Sequence, residues 1–146
     1  MSDENDMKPV VVNASDIIFN LSDTALEHGI GSVKTSGGPL IPFVITLVDG
    51  EKSLTRYVTN NIADGVKTAI DSINTLPKTT QAYAVAYDTI LHLGENKVDA
   101  IVVEVGERGG QFDHKFAQRY KPKKLFSKFE LLGNPMYLGQ YPARLK

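Results

Sequence analysis

Gln81-Ala82-Tyr83-Ala84-Val85-Ala86-Tyr87-Asp88-Thr89-Ile90-Leu91-His92-Leu93 is followed by Gly94-Glu95-Asn96 and then by Lys97-Val98-Asp99-Ala100-Ile101-Val102-Val103-Glu104-Val105. The first run alternates with the period of a β-strand. Tyr83, Val85, Tyr87 and Leu91 fall on one side, and Ala82, Ala84 and Ala86 on the other. The second run is rich in β-branched residues, and the glycine-led break between the two reads as a hairpin. Arg108-Gly109-Gly110 turns the chain once more into Gln111–Tyr120, where Phe112, His114, Phe116 and Tyr120 alternate with polar neighbours. Three consecutive antiparallel strands commit the fold to a sheet.

Upstream, Asn13 or Ser15 caps a helix in which Ile17, Ile18, Leu21, Ala25 and Leu26 recur at helical spacing. His28 and Gly29 read as its end, and Gly31–Pro39 as a loop broken by Gly37-Gly38-Pro39. Leu40–Val48 is apolar on both faces and reads as a central strand. Asp49-Gly50 suits a type I′ turn, so Lys52–Thr59 returns beside that strand. A second helix starts near Asn60 or Asn61 and runs to Leu76, with Ile62, Val66, Ala69, Ile70, Ile73 and Leu76 as its apolar stripe. Residues 125–132 suit a further strand or a short helix equally. The expected element order is α-β-β-α-β-β-β, an α+β domain over residues 13–132 with its helices packed on an antiparallel sheet. Residues 1–12 read as a partly flexible acidic tail, and 133–146 as an irregular Gly- and Pro-punctuated C-terminal arm lying on a surface. This order is similar to that of the roadblock/longin and profilin-like sandwiches, and more distantly to secretion-chaperone folds. The likeness is one of element order, with no motif residues to carry it.

Composition narrows the chemistry. The 146 residues are 42% apolar and 23% charged, as in an ordinary soluble domain. No apolar run approaches the ~18 residues of a membrane span, and the acidic Met1–Asp6 is unlike a secretory signal. With no cysteine there are no disulfides, thiolate nucleophiles or Cys-ligated metals, which suits a cytoplasmic protein. The net charge of −1 conceals a split. Residues 111–146 carry eight basic and two acidic side chains, a net of +6, while residues 1–110 carry 8 basic and 15 acidic, a net of −7.

A tight 94–96 turn sets Ala86 opposite Glu104, and a turn centred on Arg108-Gly109 sets Val105 opposite Phe112 and Glu104 opposite Asp113. In this register Tyr83, Tyr87, Phe112, Phe116 and Tyr120 share one aromatic face with Ile101, Val103, Val105 and His114. The alanines share the other with Ala100, Val102 and Ala117, and there the second helix packs closely. The aromatic face then needs cover from the first helix, the C-terminal arm or a second subunit, because a soluble monomer avoids so large an apolar patch.

Four chemical readings follow. Glu104 opposite Asp113, with Asp88 diagonal, sets carboxylates at repulsive cross-strand distances. A divalent cation or a raised pKa relieves that repulsion, as in a metal-dependent or carboxylate-based hydrolase; so, without function, do Arg108, Lys115 or Arg119. His114 is sequence-adjacent to Asp113, but neighbouring strand residues point to opposite faces, so a structural histidine is the simpler reading. Gly29–Thr35 glances at a phosphate loop but lacks the glycine before Lys34 and joins helix to strand, the wrong order. Lys115, Arg119, Lys121, Lys123, Lys124 and Lys128, interleaved with aromatics, form a candidate nucleic-acid or anionic-surface footprint, or else a solvated edge.

The function expected is that of a small cofactor-free binding or adaptor-type domain, self-associating or engaging another protein through the aromatic face or a sheet edge. Asp88, Glu104, Asp113 and His114 carry the enzymatic alternative, and the 115–128 segment the nucleic-acid one.

Overall fold

The computed structural model describes residues 14–146. The acidic tail and the Asn13 cap alternative lie outside these. Helix α1 spans Asp16–Ser36 and is capped by Ser15, whose hydroxyl accepts from the Ile18 N–H at 3.2 Å. It runs a full two turns past the end expected at Gly29. The terminator is Gly37, which takes the left-handed conformation (φ 86°) and donates its N–H to the Val33 carbonyl. Gly29 serves packing instead. A Cβ there would sit 3.0 Å from Ile101 Cγ2, so the absent side chain is what lets α1 lie close on the sheet.

Strands β1 (Phe43–Val48) and β2 (Glu51–Arg56) flank the Asp49-Gly50 turn, where both residues take positive φ (50° and 80°), as the type I′ reading requires. Helix α2 (Ile62–Ser72) is capped by Asn61 and runs on as a 3-10 turn, Ile73–Thr75. The long hairpins follow as β3 (Thr80–Leu93), β4 (Asn96–Glu107) and β5 (Phe112–Lys121). The chain ends in a short β6 (Glu130–Leu131) and in β7 (Met136–Pro142). The sheet order is β2-β1-β3-β4-β5-β6, all pairs antiparallel, with β7 also on β5. Half of the segment expected to be irregular, Met136–Pro142, is therefore a strand. It extends the sheet and then drives Leu145 into the core, 4% exposed. Arg108 secures this end by donating to the carbonyls of Thr80 (2.8 Å) and Lys146 (2.6 Å).

The expected register is wrong by one residue at the first hairpin. The loop is two residues long, with Gly94 (φ 65°) at the position that a type II′ turn gives to glycine, and Leu93 already faces Asn96. Ala86 thus opposes Val103, not Glu104, and every face assignment between β3 and β4 inverts. At the second hairpin Val105 opposes His114 and Glu104 opposes Lys115, two residues from the expected pairing, which keeps the faces but separates Glu104 from Asp113. The alanines of β3 therefore join Ile101, Val103, Val105, Phe116 and Tyr120, and it is α1, not α2, that packs on them. Tyr83 and Val85 lie on the opposite face, beneath Ala69 and Ile73 of the second helical segment and Leu145 of the C-terminus. Among the described residues there is no single aromatic face. Small side chains did mark where a helix comes close, but for the other helix.

Candidate functional site

Two of the three expected acidic residues meet, and the C-terminus brings the group that joins them. Glu104 on β4 and Asp113 on β5 point to the α2 face, 4% and 0% exposed. Arg144, just beyond β7, reaches between them. Its Nη2 donates to Glu104 Oε1 at 2.7 Å, and its Nη1 to the hydroxyls of Tyr83 (2.8 Å) and Tyr141 (3.0 Å). Its backbone N–H donates to Asp113 Oδ2 at 3.1 Å, the oxygen that also accepts from Tyr83 at 2.5 Å. Tyr87 donates to Glu104, and Lys115 lies 3.7 Å from the same carboxylate. The guanidinium sits 4.7 Å from the centre of the Tyr141 ring. Gly106 makes room for this arrangement, because the Asp113 carboxylate occupies the space a Cβ would fill.

The charges here answer one another. Burial pushes Glu104 upward, but Tyr87, Arg144 and Lys115 together outweigh it and hold the carboxyl below its usual range. Asp113 moves the other way, since burial outweighs the bonds from Tyr83 and Arg144; its Oδ1 is buried without a hydrogen-bond partner. Burial first, and then the neighbouring carboxylates, raise Tyr83 and Tyr87 far above the ordinary phenol range. The like-charge repulsion anticipated between Glu104 and Asp113 is relieved by Arg144 and Lys115. Only a depression of about 270 Å³ opens beside the cluster, between Glu104, Lys115, Gly139 and Arg144. This arrangement is a latch that fastens the last strand.

A pH prediction follows from it. Because the folded state lowers Glu104's pKa, its contribution is full above the unfolded value near 4.5 and is lost as pH falls through the folded one. The stability gap between the parent and Glu104→Gln should be widest at neutral pH and narrow below about pH 4.5 in urea titrations. A gap constant down to pH 3 would contradict it. Asp113 and Asp88, both raised by burial, act in the opposite sense: their contribution is greatest at low pH and fades as pH rises through the raised values.

Asp88 does not belong to this group. It opposes Ile101 and lies on the α1 face, where it accepts from the Leu40 N–H (2.9 Å) and from Tyr120 (2.7 and 2.8 Å). Among the described residues no three His, Asp or Glu side chains gather to hold a metal ion. His114 faces α1, away from Asp113, buried at 3% with Nδ1 2.9 Å from the Tyr137 hydroxyl. Burial lowers its pKa, and its ring contact is with Tyr137.

The expected interface residues are dispersed. Tyr83 is wholly buried, Tyr87 half-buried beside it, and Phe116 and Tyr120 are buried on the opposite face against Tyr137 and Phe129. Phe112 alone is exposed, at the strand's start. The expected basic segment also divides. Lys115 turns to Glu104, and half-buried Arg119 lies against Gly133. Lys121, Lys123, Lys124 and Lys128 stay in solvent on a tight hairpin. There Lys124 and Ser127 exchange backbone hydrogen bonds of 2.9 and 3.2 Å, and the two residues at the tip, Leu125 and Phe126, are 88% and 96% exposed. Lys34 of α1, with Lys123, Lys124 and Lys128, lines a depression of about 630 Å³ beside this tip. Residue-by-residue reading missed this tip, as it missed Arg144 and Tyr141. The signal present was Leu125-Phe126 standing between lysines, with no glycine or proline at the turn. No helix among the described residues is long and apolar enough to cross a membrane. The chain matches no family model, and no curated protein or solved structure matches it.

Proposed function

We propose that this chain is a cofactor-free binding module whose contact surface is the lysine-rich hairpin of residues 121–129, directed at an anionic partner. One observation carries the reading: two large apolar side chains stand almost fully in solvent at the hairpin tip, ringed by Lys123, Lys124 and Lys128. Isolated exposed leucines are commonplace, but an adjacent pair held out on a closed turn among like charges is not explained by folding. The aromatic residues that suggested a sheet-face interface are largely occupied in the core, so the contact surface moves from the face to this loop. The carboxylates that suggested a hydrolase are hydrogen-bonded within the chain, Glu104 and Asp113 on one face and Asp88 on the other. The lysines also account for much of the +6 charge of the last 36 residues.

The test is retention on an immobilised polyanion such as heparin. The parent chain should bind at low salt and elute as ionic strength rises, and Lys123→Gln/Lys124→Gln/Lys128→Gln should pass through unretained. Equal retention of parent and triple variant would overturn the assignment.

A further inference from the structure

We infer that the partner of this hairpin is an anionic lipid bilayer surface, with Leu125 and Phe126 entering the interface while the lysines stay at the headgroups. The inference rests on the reading of residues 121–129 as the contact surface, and it names the partner class.

Three features favour lipid. The tip offers a leucine beside a phenylalanine, both nearly naked to solvent. An aliphatic side chain gains nothing by stacking on a base, whereas both residues gain by leaving water for the headgroup–acyl boundary. The surrounding charge is all lysine: Lys34, Lys123, Lys124 and Lys128 line one depression without a carboxylate. Lysine is a flexible point charge suited to diffuse anionic headgroups and able to keep its ammonium in water above a buried stem. Lys121 is the exception, because Glu130 faces it across the β5–β6 pair. The third feature is the fate of the other aromatics. Stacking on single-stranded nucleic acid needs several rings in a row, yet Phe116 and Tyr120 are buried and Phe129 is stacked on Tyr120 with centroids 5.5 Å apart. Phe126 stands alone. An acidic protein partner is less well matched, since a two-residue tip is small beside the ~800 Å² per side of a standard protein interface.

The depth of entry has a limit. The backbone of Leu125 and Phe126 lies in a turn, and unpaired peptide groups are excluded from the hydrocarbon interior. The side chains therefore reach the interface and no further.

The chain has no tryptophan, so Phe126→Trp places a single reporter at the tip. With phosphatidylcholine vesicles containing phosphatidylserine, its emission should shift to the blue and the protein should sediment with the vesicles. Vesicles of phosphatidylcholine alone should bind far less. Each lysine removed should weaken binding about fivefold, so the triple glutamine variant should lose on the order of a hundredfold. Leu125→Ser/Phe126→Ser, which keeps every charge, should lose at least about tenfold for vesicles while its heparin retention stays unchanged. Absence of sedimentation and of a spectral shift, with heparin retention still lysine-dependent, would overturn the lipid inference and leave the hairpin reading intact. Tight binding of single-stranded RNA that the serine variant abolishes would reassign the surface to nucleic acid. If the lysine variant changes neither heparin nor vesicle binding, both readings fall.

Discussion

Arg144→Met should destabilise the protein by about 3 kcal/mol, the lower end for removing one partner from a buried ion pair, because the Arg144 side chain is itself 22% exposed. Methionine matches the stem of the arginine, so the loss is chiefly electrostatic. Without the guanidinium, Glu104 keeps its charge in a site where its side chain is 5% exposed, with Lys115 at 3.7 Å as the remaining cation. Tyr83 and Tyr141 each lose a donor as well. The backbone bond from residue 144 to Asp113 survives, so the variant retains the path of the last strand and tests the side chain alone. Equilibrium urea unfolding measures the effect as a fall in midpoint with little change in slope. The double variant Arg144→Met/Glu104→Leu should recover most of the loss, because it removes the stranded charge together with its partner. A loss below about 1 kcal/mol in the single variant would mean that the pair behaves as a solvated surface bridge.

This latch also marks the limit of what the sequence alone conveys about the fold. The alternation of Tyr83, Val85 and Tyr87 against Ala82, Ala84 and Ala86 is a local property, and it revealed the strand and its two faces. Which residues oppose them depends on the length of one turn. Gly94-Glu95 closes as a two-residue loop with Asn96 already paired, and that single residue moves Val103 from the tyrosine side to the alanine side. The end of α1 failed for a related reason. Gly29 and Gly37 are both glycines after helical residues, and only the tertiary structure tells the close packing of Gly29 over Ile101 from the left-handed cap at Gly37. Glu104 and Asp113 were visible as a like-charge problem on neighbouring strands. Their remedy was not, because Arg144 lies 31 residues from Asp113 and 40 from Glu104, in a segment whose glycines and prolines suggested irregular structure. The hairpin tip is a different case. Leu125 and Phe126 are ordinary core residues by type, and their exposure follows from the Lys124–Ser127 turn that the sequence does not announce.

Gly106→Ala should likewise destabilise, by about 2–4 kcal/mol, although local preference predicts a gain. In a strand interior glycine is worse than alanine by roughly 0.5–1 kcal/mol, so a substitution with free space would stabilise. At Gly106 the added methyl would fall on the Asp113 carboxylate, which is fully buried and cannot swing into solvent. Moving it breaks the bonds from Tyr83 and from the Arg144 N–H, and a charged acceptor lost from two donors is worth more than the propensity term. A double-mutant cycle separates the two contributions. Asp113→Ala alone destabilises by leaving the Tyr83 hydroxyl and the Arg144 amide without their acceptor, but it empties the space in front of Gly106. Adding Gly106→Ala to that background should then be neutral or slightly favourable. The coupling between the sites would then at least equal the cost of Gly106→Ala itself, about 2–4 kcal/mol, at or beyond the upper end for residues in contact. Additive losses in the cycle would place the cost of the methyl somewhere other than the carboxylate and would remove the explanation for glycine at this position.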